Sequence, residues 1–444
     1  MRTPTLLLLG ACLLAALARA DETTPATDRE VLSRPLAGLT GAENERFRRG
    51  RSLFRQSWVI APANDTTVDG LGPLYNRLAC ISCHAKNGRG GAPEQPAERM
   101  QSMLVRLSIP GRNAQGGPLP HPAYGDQLNE EGIPGVPGEG RAQLHWRHKQ
   151  ARLADGSSVA LRWPSVRFSE LAYGPLGKVL VSLRVSPHVA GLGLLDAVDD
   201  KTLTALAAEK KADGVRGTVN RVTDRATGQQ VAGRFGLKAN MPNLKQQIAG
   251  AFVGDMGITS PLFPSENCTP AQSACSTAPN GGKPELSAAQ LAEIEFYLAN
   301  LAPPPRRQSD DPTVKKGAAL FAELGCATCH RPALLTGEVA HNPRLSRQVF
   351  APYTDLLLHD MGPQLADGRP DHLASGRQWR TAPLWGLGAL QAINENTGLL
   401  HDGRARTAEE AILWHGGEAE TARRRYARAS REQRQILQTF LQSL

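Results

Sequence analysis

Ile294, Tyr297, Leu298 and Leu301 recur near the end of the chain as Leu437, Phe440, Leu441 and Leu444. Steps of three, one and three residues line one face of a 3.6-period helix, so a single amphipathic helix is written twice. Ser287 with Gln290, and Ser430 with Gln433, stand at the two starts as capping boxes. A second pair lies upstream. Gly50-Arg51-Ser52-Leu53-Phe54 is echoed by Gly317-Ala318-Ala319-Leu320-Phe321. In the later copy Val314, Ala318 and Phe321 share a face, Asp311-Pro312 opens the helix and Gly325 ends it. Thr407 and Glu410 predict a further capped helix over 408–414, stopped by Gly416-Gly417.

Between the repeated helices the period changes. Val159 to Trp163, Lys178 to Leu183, Gly217 to Val222 and Gln230 to Phe235 read as strands beside Gly or Pro turns. Pro110 to Gly140 is dense in Gly and Pro and reads as irregular.

Each helix pair encloses a Cys-x-x-Cys-His pentapeptide: Cys80-Ile81-Ser82-Cys83-His84 and Cys326-Ala327-Thr328-Cys329-His330. At this composition chance would supply roughly 0.003 copies. Two thiols at this spacing can each add to a haem vinyl group, and the adjoining imidazole reaches the iron. The pattern therefore predicts two covalently attached haem c groups, held by Cys80, Cys83 and His84 and by Cys326, Cys329 and His330. A zinc site pooling four thiolates, or a dithiol redox pair, is the competing use.

Helix, haem motif, loops and closing helix is the order of a cytochrome c domain. The expected fold is mainly α, with two tandem cytochrome c-like domains, the first carrying a large, partly β insertion. Expected boundaries are a signal peptide over 1–20, a first domain over 21–302, a Pro-rich linker over 303–310 and a second domain over 311–444. Cys80 to Ser287 spans 207 residues and Cys326 to Ser430 only 104, which sizes the insertion.

Composition sets the compartment. Met1-Arg2-Thr3, an apolar run from Leu6 to Leu17 and Ala18-Arg19-Ala20 describe a secretory signal, so the mature chain is expected in the periplasm. A lipoprotein modified on Cys12 is the alternative. No other segment approaches the length of a transmembrane helix. Cys268 and Cys275, outside the haem motifs, read as a disulfide closing a small loop. The net charge of +9 falls to +7 without Arg2 and Arg19, and to about +3 with four haem propionates. That hints at acidic partners, while scattered Lys and Arg and 5% aromatics exclude a nucleic-acid groove.

The sixth iron position separates a carrier from an enzyme. His415 shares a helix face with Ala411 and Ile412 and is a candidate axial ligand of the second haem; its alternative is a helix-terminal or core histidine. Met361, His359 and His401 are rivals. For the first haem Met256, ahead of the closing helix, is the thioether candidate, against a plain core methionine. His121, His145, His148 and His188 lie in the insertion as distal-pocket or surface groups.

These motifs, with Gly233-Arg234-Phe235-Gly236, Asp255-Met256-Gly257, Leu358-His359-Asp360-Met361-Gly362, Trp379-Arg380-Thr381-Ala382-Pro383-Leu384 and Leu400-His401-Asp402-Gly403-Arg404-Ala405, resemble the di-haem cytochrome c peroxidase superfamily. Within it the chain is most similar to the di-haem oxidoreductase branch, also described as thiol oxidoreductases. Di-haem peroxidases carry a Met ligand 14 residues after the His of the His-Asp-Gly segment, and relatives that mature methylamine dehydrogenase carry a Tyr. The corresponding residue here is His415. The resemblance implies an exported redox enzyme of peroxidase type, with a reactive haem on His84 and an electron-transfer haem on His330 and His415. It also implies a redox partner protein, with hydrogen peroxide or a protein side chain as substrate. A pure electron-transfer cytochrome without substrate chemistry is the alternative.

Overall fold

The computed structural model describes residues 28–444; the predicted signal peptide and Cys12 lie outside them. Four helices surround the two pentapeptides, and they pack as two similar pairs. Helix α1 (Gly41–Arg55) opens on a complete capping box between Thr40 and Glu43 and buries Phe47, Gly50 and Phe54. Further along the chain come strands β1 (Met103–Arg112), β2 (Arg141–Arg152), β3 (Ser158–Ser169) and β4 (Leu180–Val185). Helices α2 (Leu244–Met256), α3 (Ala288–Ala299), α4 (Pro312–Glu323), α5 (Ala408–Trp414) and α6 (Arg431–Ser443) follow.

The echoed glycines mark two equivalent helix crossings. A Cβ on Gly50 would lie 2.1 Å from the Glu293 carbonyl oxygen and 2.7 Å from Cβ of Tyr297, both on α3. A Cβ on Gly317 would lie 2.5 Å from Cβ of Phe440 and 2.6 Å from the Ile436 carbonyl oxygen on α6. Glycine lets the backbones approach where any side chain would hold them apart. The aromatics repeat as well. Phe54 sits 5.6 Å from Tyr297 and 6.3 Å from His84, and Phe321 sits 5.3 Å from Phe440 and 6.4 Å from His330. Both closing helices carry the capping boxes read from sequence, Ser287 with Gln290 and Ser430 with Gln433. At α5 only half of the predicted box forms. Thr407 accepts from Glu410 N, but the Glu410 carboxylate pairs with Arg406 instead of returning to the cap.

The expectation of a mainly α chain does not hold. Helix makes up 31% and strand 19%, the strands lying in several small sheets. The strong helical signals were confined to the neighbourhood of the haem motifs, and 44 Gly and 32 Pro keep much of the rest in turns. Strand β1 pairs with β4 from Met103↔Val185 to Ser108↔Leu180. Strands β2 and β3 form a hairpin of twelve residues a side, in register from Arg141↔Ser169 to Arg152↔Ser158. Of these, β1 and β2 were not predicted; in β2 Arg147-His148-Lys149 hides the alternation.

One apolar core gathers Phe47, Phe54, Phe252, Met256, Leu291 and Tyr297 around the first pentapeptide. A second gathers Val314, Phe321, Leu413, Tyr426, Leu437 and Phe440 around the second, and it takes in Leu153 and Leu161 of the β2–β3 hairpin. The hairpin thus reaches from the insertion onto the later helices. Cys268 and Cys275 are joined as a disulfide. No helix among the described residues is long and apolar enough to cross a membrane.

Candidate functional site

After α4 the left-handed Gly325 (φ +91°) reverses the chain into a single turn, Cys326–Thr328. The turn closes with His330 N donating to the Cys326 carbonyl at 3.0 Å. The His330 ring then donates from Nδ1 to the Tyr353 carbonyl, 2.9 Å away. The first pentapeptide builds the same object: His84 N donates to the Cys80 carbonyl at 3.0 Å, and Nδ1 to the Pro187 carbonyl at 2.7 Å. A carbonyl accepts only from N–H, so each ring holds its proton on Nδ1 and presents a lone pair at Nε2. Burial holds both imidazoles down at about 4, the neutral form a metal needs. Burial likewise pushes the Cys80, Cys83 and Cys326 thiols up to about 12. Such surroundings disfavour thiolates. Among the described residues the one close grouping of metal-binding side chains is Cys329, Asp355 and His359, so the four thiols do not form a cage.

His415 follows α5 directly, and its Nδ1 donates 2.7 Å to the Ala411 carbonyl one turn back. Burial lowers its pKa, and Nε2 is again left free. His330 and His415 line one cavity of about 250 Å³ together with Cys326, Cys329, Phe321 and Leu437. Two neutral rings, each with Nδ1 committed to a carbonyl, therefore face a common, mostly apolar space.

Two of the three rival residues are engaged elsewhere. His359 uses Nε2 on Asp355 (2.9 Å) and Nδ1 on Glu418 (2.8 Å), which leaves no lone pair. His401 stacks on Trp379 at 3.8 Å between ring centres, with Nε2 3.5 Å from Asp402. Met361 lines the cavity with a free thioether. Met256 ends α2 in the first core, 2% exposed, where Cys80 and Ile81 also pack. Of the insertion histidines, His121 is bonded to Leu176 and Ala123, and His148 is exposed. His145 is half-buried with Nε2 unpartnered.

One part of the site was only half legible in the sequence, which offered His188 as a distal-pocket candidate and Arg380 within a family segment. Arg89, Arg380, His188 and Trp385 also line the cavity, with both arginines close enough to act on His188. Arg89 donates to the carbonyls of Gly398 and Leu400, and Arg380 to those of Gly236 and Thr381. Among the described residues neither forms an ion pair, and burial pulls both guanidinium groups down to about 10. Among the described residues, Nδ1 of His188 and Nε1 of Trp385 are buried without a hydrogen-bond partner. Partly buried cations with no carboxylate in direct contact are costly, so this cluster of donors fits an anionic group such as the carboxylates of a haem. Arg89 and Trp385 carry no sequence signal, because only folding brings three separate segments together here.

A family model described as "Di-haem oxidoreductase, putative peroxidase" matches residues 23–444. The chain belongs to this family. Haem is the cofactor that the family description names, and the paired imidazoles and the acceptor-hungry donors on the cavity wall suit it. No curated protein matches the chain. In this di-haem oxidoreductase, Trp414, next to His415, meets Trp163 of β3 at 6.3 Å and carries Lys149 of β2 at 4.0 Å. The hairpin thus braces α5. Trp163 is half-buried, so Trp163→Ala should cost about 2 kcal/mol, read as a lowered unfolding midpoint of the haem-loaded protein; an unchanged midpoint would show that the brace carries no load.

Proposed function

We propose that the protein is an exported c-type di-haem cytochrome acting as a redox enzyme of peroxidase type, with a reactive haem on the first pentapeptide and an electron-transfer haem on the second. The observation that carries this reading is the duplicated geometry: two Cys-x-x-Cys-His turns, each with its imidazole oriented by a backbone carbonyl, and a further oriented imidazole facing only the second. The inequality matters. His330 and His415 would both ligate the second iron, while among the described residues no second imidazole with its Nδ1 committed to a carbonyl shares a cavity with His84.

When bound, the haems supply one-electron redox chemistry and, at an open sixth position, a place for a small oxidant such as hydrogen peroxide. The protein does the rest. Cys80, Cys83, Cys326 and Cys329 would tether the macrocycles as thioethers. Pro187, Tyr353 and Ala411 keep protons on Nδ1 and so aim the three Nε2 lone pairs. Arg89, Arg380, His188 and Trp385 would neutralise propionates, and the apolar walls around Phe321 and Leu437 keep water from the second iron. Redox equivalents would be exchanged with a partner protein in the periplasm.

The test is a pyridine haemochrome assay with intact mass, then visible and EPR spectra. Two haems per chain are expected, with one ferric signal that shifts on adding peroxide or cyanide. One haem or none, or zinc in its place, would overturn the reading; two low-spin haems indifferent to both reagents would leave a simple electron carrier.

A further inference from the structure

The second core holds a phenol whose partner can take up a proton. Tyr426 is wholly buried there. Its hydroxyl donates to Oε1 of Glu409 at 2.9 Å and accepts from Nε2 of Gln438 at 3.1 Å. Among the described residues the other tyrosine hydroxyls that donate hydrogen bonds end on groups that do not accept a proton. Tyr124 donates to the Gly174 carbonyl, Tyr173 to the Pro137 carbonyl and Tyr297 to the side-chain amide oxygen of Asn87. A core tyrosine needs only a satisfied hydroxyl, and a carbonyl gives it that. A partly buried carboxylate is a costlier partner, and it adds a basic oxygen.

The pair lies just behind the wall of the cavity that His330 and His415 share. Tyr426 belongs to the helix Glu420–Arg428, on which Ala422 and Arg423 line that cavity. Residues three and four apart share a helix face, so the ring sits about one turn, roughly 5.4 Å, beyond the wall. Glu409 follows the cavity-lining Ala408 on α5, the helix that ends at His415. Gln438 follows Leu437, another wall residue, on α6. Arg434 stands 3.5 Å from Oε1 of Glu409, with a closer bond of 2.8 Å to Asp155, and fixes the acceptor in place. Burial, with the charge of Glu409 added to it, pushes the phenol above its usual range. A phenolate is therefore not available, and an electron leaves this ring only together with the proton.

We propose that Tyr426 and Glu409 form a redox-active pair that supplies one electron to the second haem. The proposal rests on the peroxidase-type function given above and names where one oxidising equivalent resides. Hydrogen peroxide takes up two electrons and two protons to give two waters. One electron withdrawn through the second haem is replaced from Tyr426. The phenolic O–H bond breaks, the electron passes to the iron and the proton to Glu409, leaving a neutral tyrosyl radical and a carboxylic acid. One electron from the redox partner, with the proton handed back by Glu409, restores both groups.

Haem content and the spectral response to peroxide are measured first. The two-haem protein is then mixed with one equivalent of hydrogen peroxide, frozen within milliseconds and read by EPR. An organic radical near the free-electron g value is expected, narrowed in protein grown on ring-deuterated tyrosine and lost in Y426F. Y297F, which removes a phenol that faces an amide, should keep it. E409Q retains an acceptor oxygen but takes no proton, and should slow radical formation about a hundredfold. A radical undiminished in Y426F, an unchanged rate in E409Q, or no radical where the haems do respond would overturn the pair and leave the peroxidase reading standing. Where peroxide leaves the haems unchanged, that reading falls, and photogenerated tris(bipyridine)ruthenium(III) serves as the oxidant. A tyrosyl radical present in the wild type and absent in Y426F then supports the pair; equal signals, or none, overturn it.

Discussion

Replacing His415 by glycine should remove the low-spin ferric signal of the second haem from the EPR spectrum and leave the signal of the first untouched. The ring has its Nδ1 proton fixed on Ala411, a depressed pKa and a free Nε2 in the cavity it shares with His330. Without it the second iron would lose its sixth ligand, become high-spin and bind carbon monoxide when reduced. His415→Met should restore six-coordination but raise the midpoint potential, since a thioether favours ferrous iron more than imidazole does. An unchanged spectrum in the glycine variant would transfer the role to Met361, which lines the same cavity.

The second large effect lies beside that cavity. Asp355 and His359 are almost wholly buried, and Glu418 completes a carboxylate–imidazole–carboxylate row. Burial alone would push His359 down; bonds to Asp355, Cys329 and Glu418 outweigh it and hold the ring up at about 12. Glu418 also accepts from the backbone of Arg216, Gly217 and Asp360, so the row ties the insertion to two loops of the second helix pair. Asp355→Ala strips one partner from a buried cation and should destabilise the protein by about 3–5 kcal/mol.

The sign of the pH dependence follows. A ring held above its ordinary 6.5 stays protonated in the folded chain where the unfolded chain has lost the proton. The stability it lends is complete below about pH 6.5 and is lost as pH rises toward 12. Glu418, held down at about 2 against burial by its bond from His359, acts oppositely and loses its contribution as pH falls from its ordinary 4.5 toward 2. Chemical denaturation between pH 6 and 10 should show stability falling with pH in the wild type and a flatter profile in His359→Gln. Parallel profiles would show that His359 is not held as a cation.

What the chain states locally, it states well. Five residues suffice for a haem attachment turn, and a helix start is written in a Ser and the Gln three residues on, so both pentapeptides, both closing helices and the capped approach to His415 were legible. The echo of Gly50 in Gly317 was visible too, although its cause, two backbones in contact, needed α3 and α6 in place. Overcounting helix had the same origin. Period-3.6 patterns are conspicuous, whereas a ribbon such as β2–β3, packed against a distant core and studded with charge, lacks clean alternation.

Tertiary structure decided which histidines are free. His359, His401 and His415 look alike as letters; one is locked between two carboxylates, one is stacked on Trp379, and one keeps a lone pair open. The donor cluster of Arg89, His188, Arg380 and Trp385 exists only because separate segments meet. Covalent spacing and caps depend on neighbours a few residues away, so sequence determines them. The state of a buried imidazole or guanidinium depends on acceptors brought from anywhere in the chain, and only the folded packing determines those.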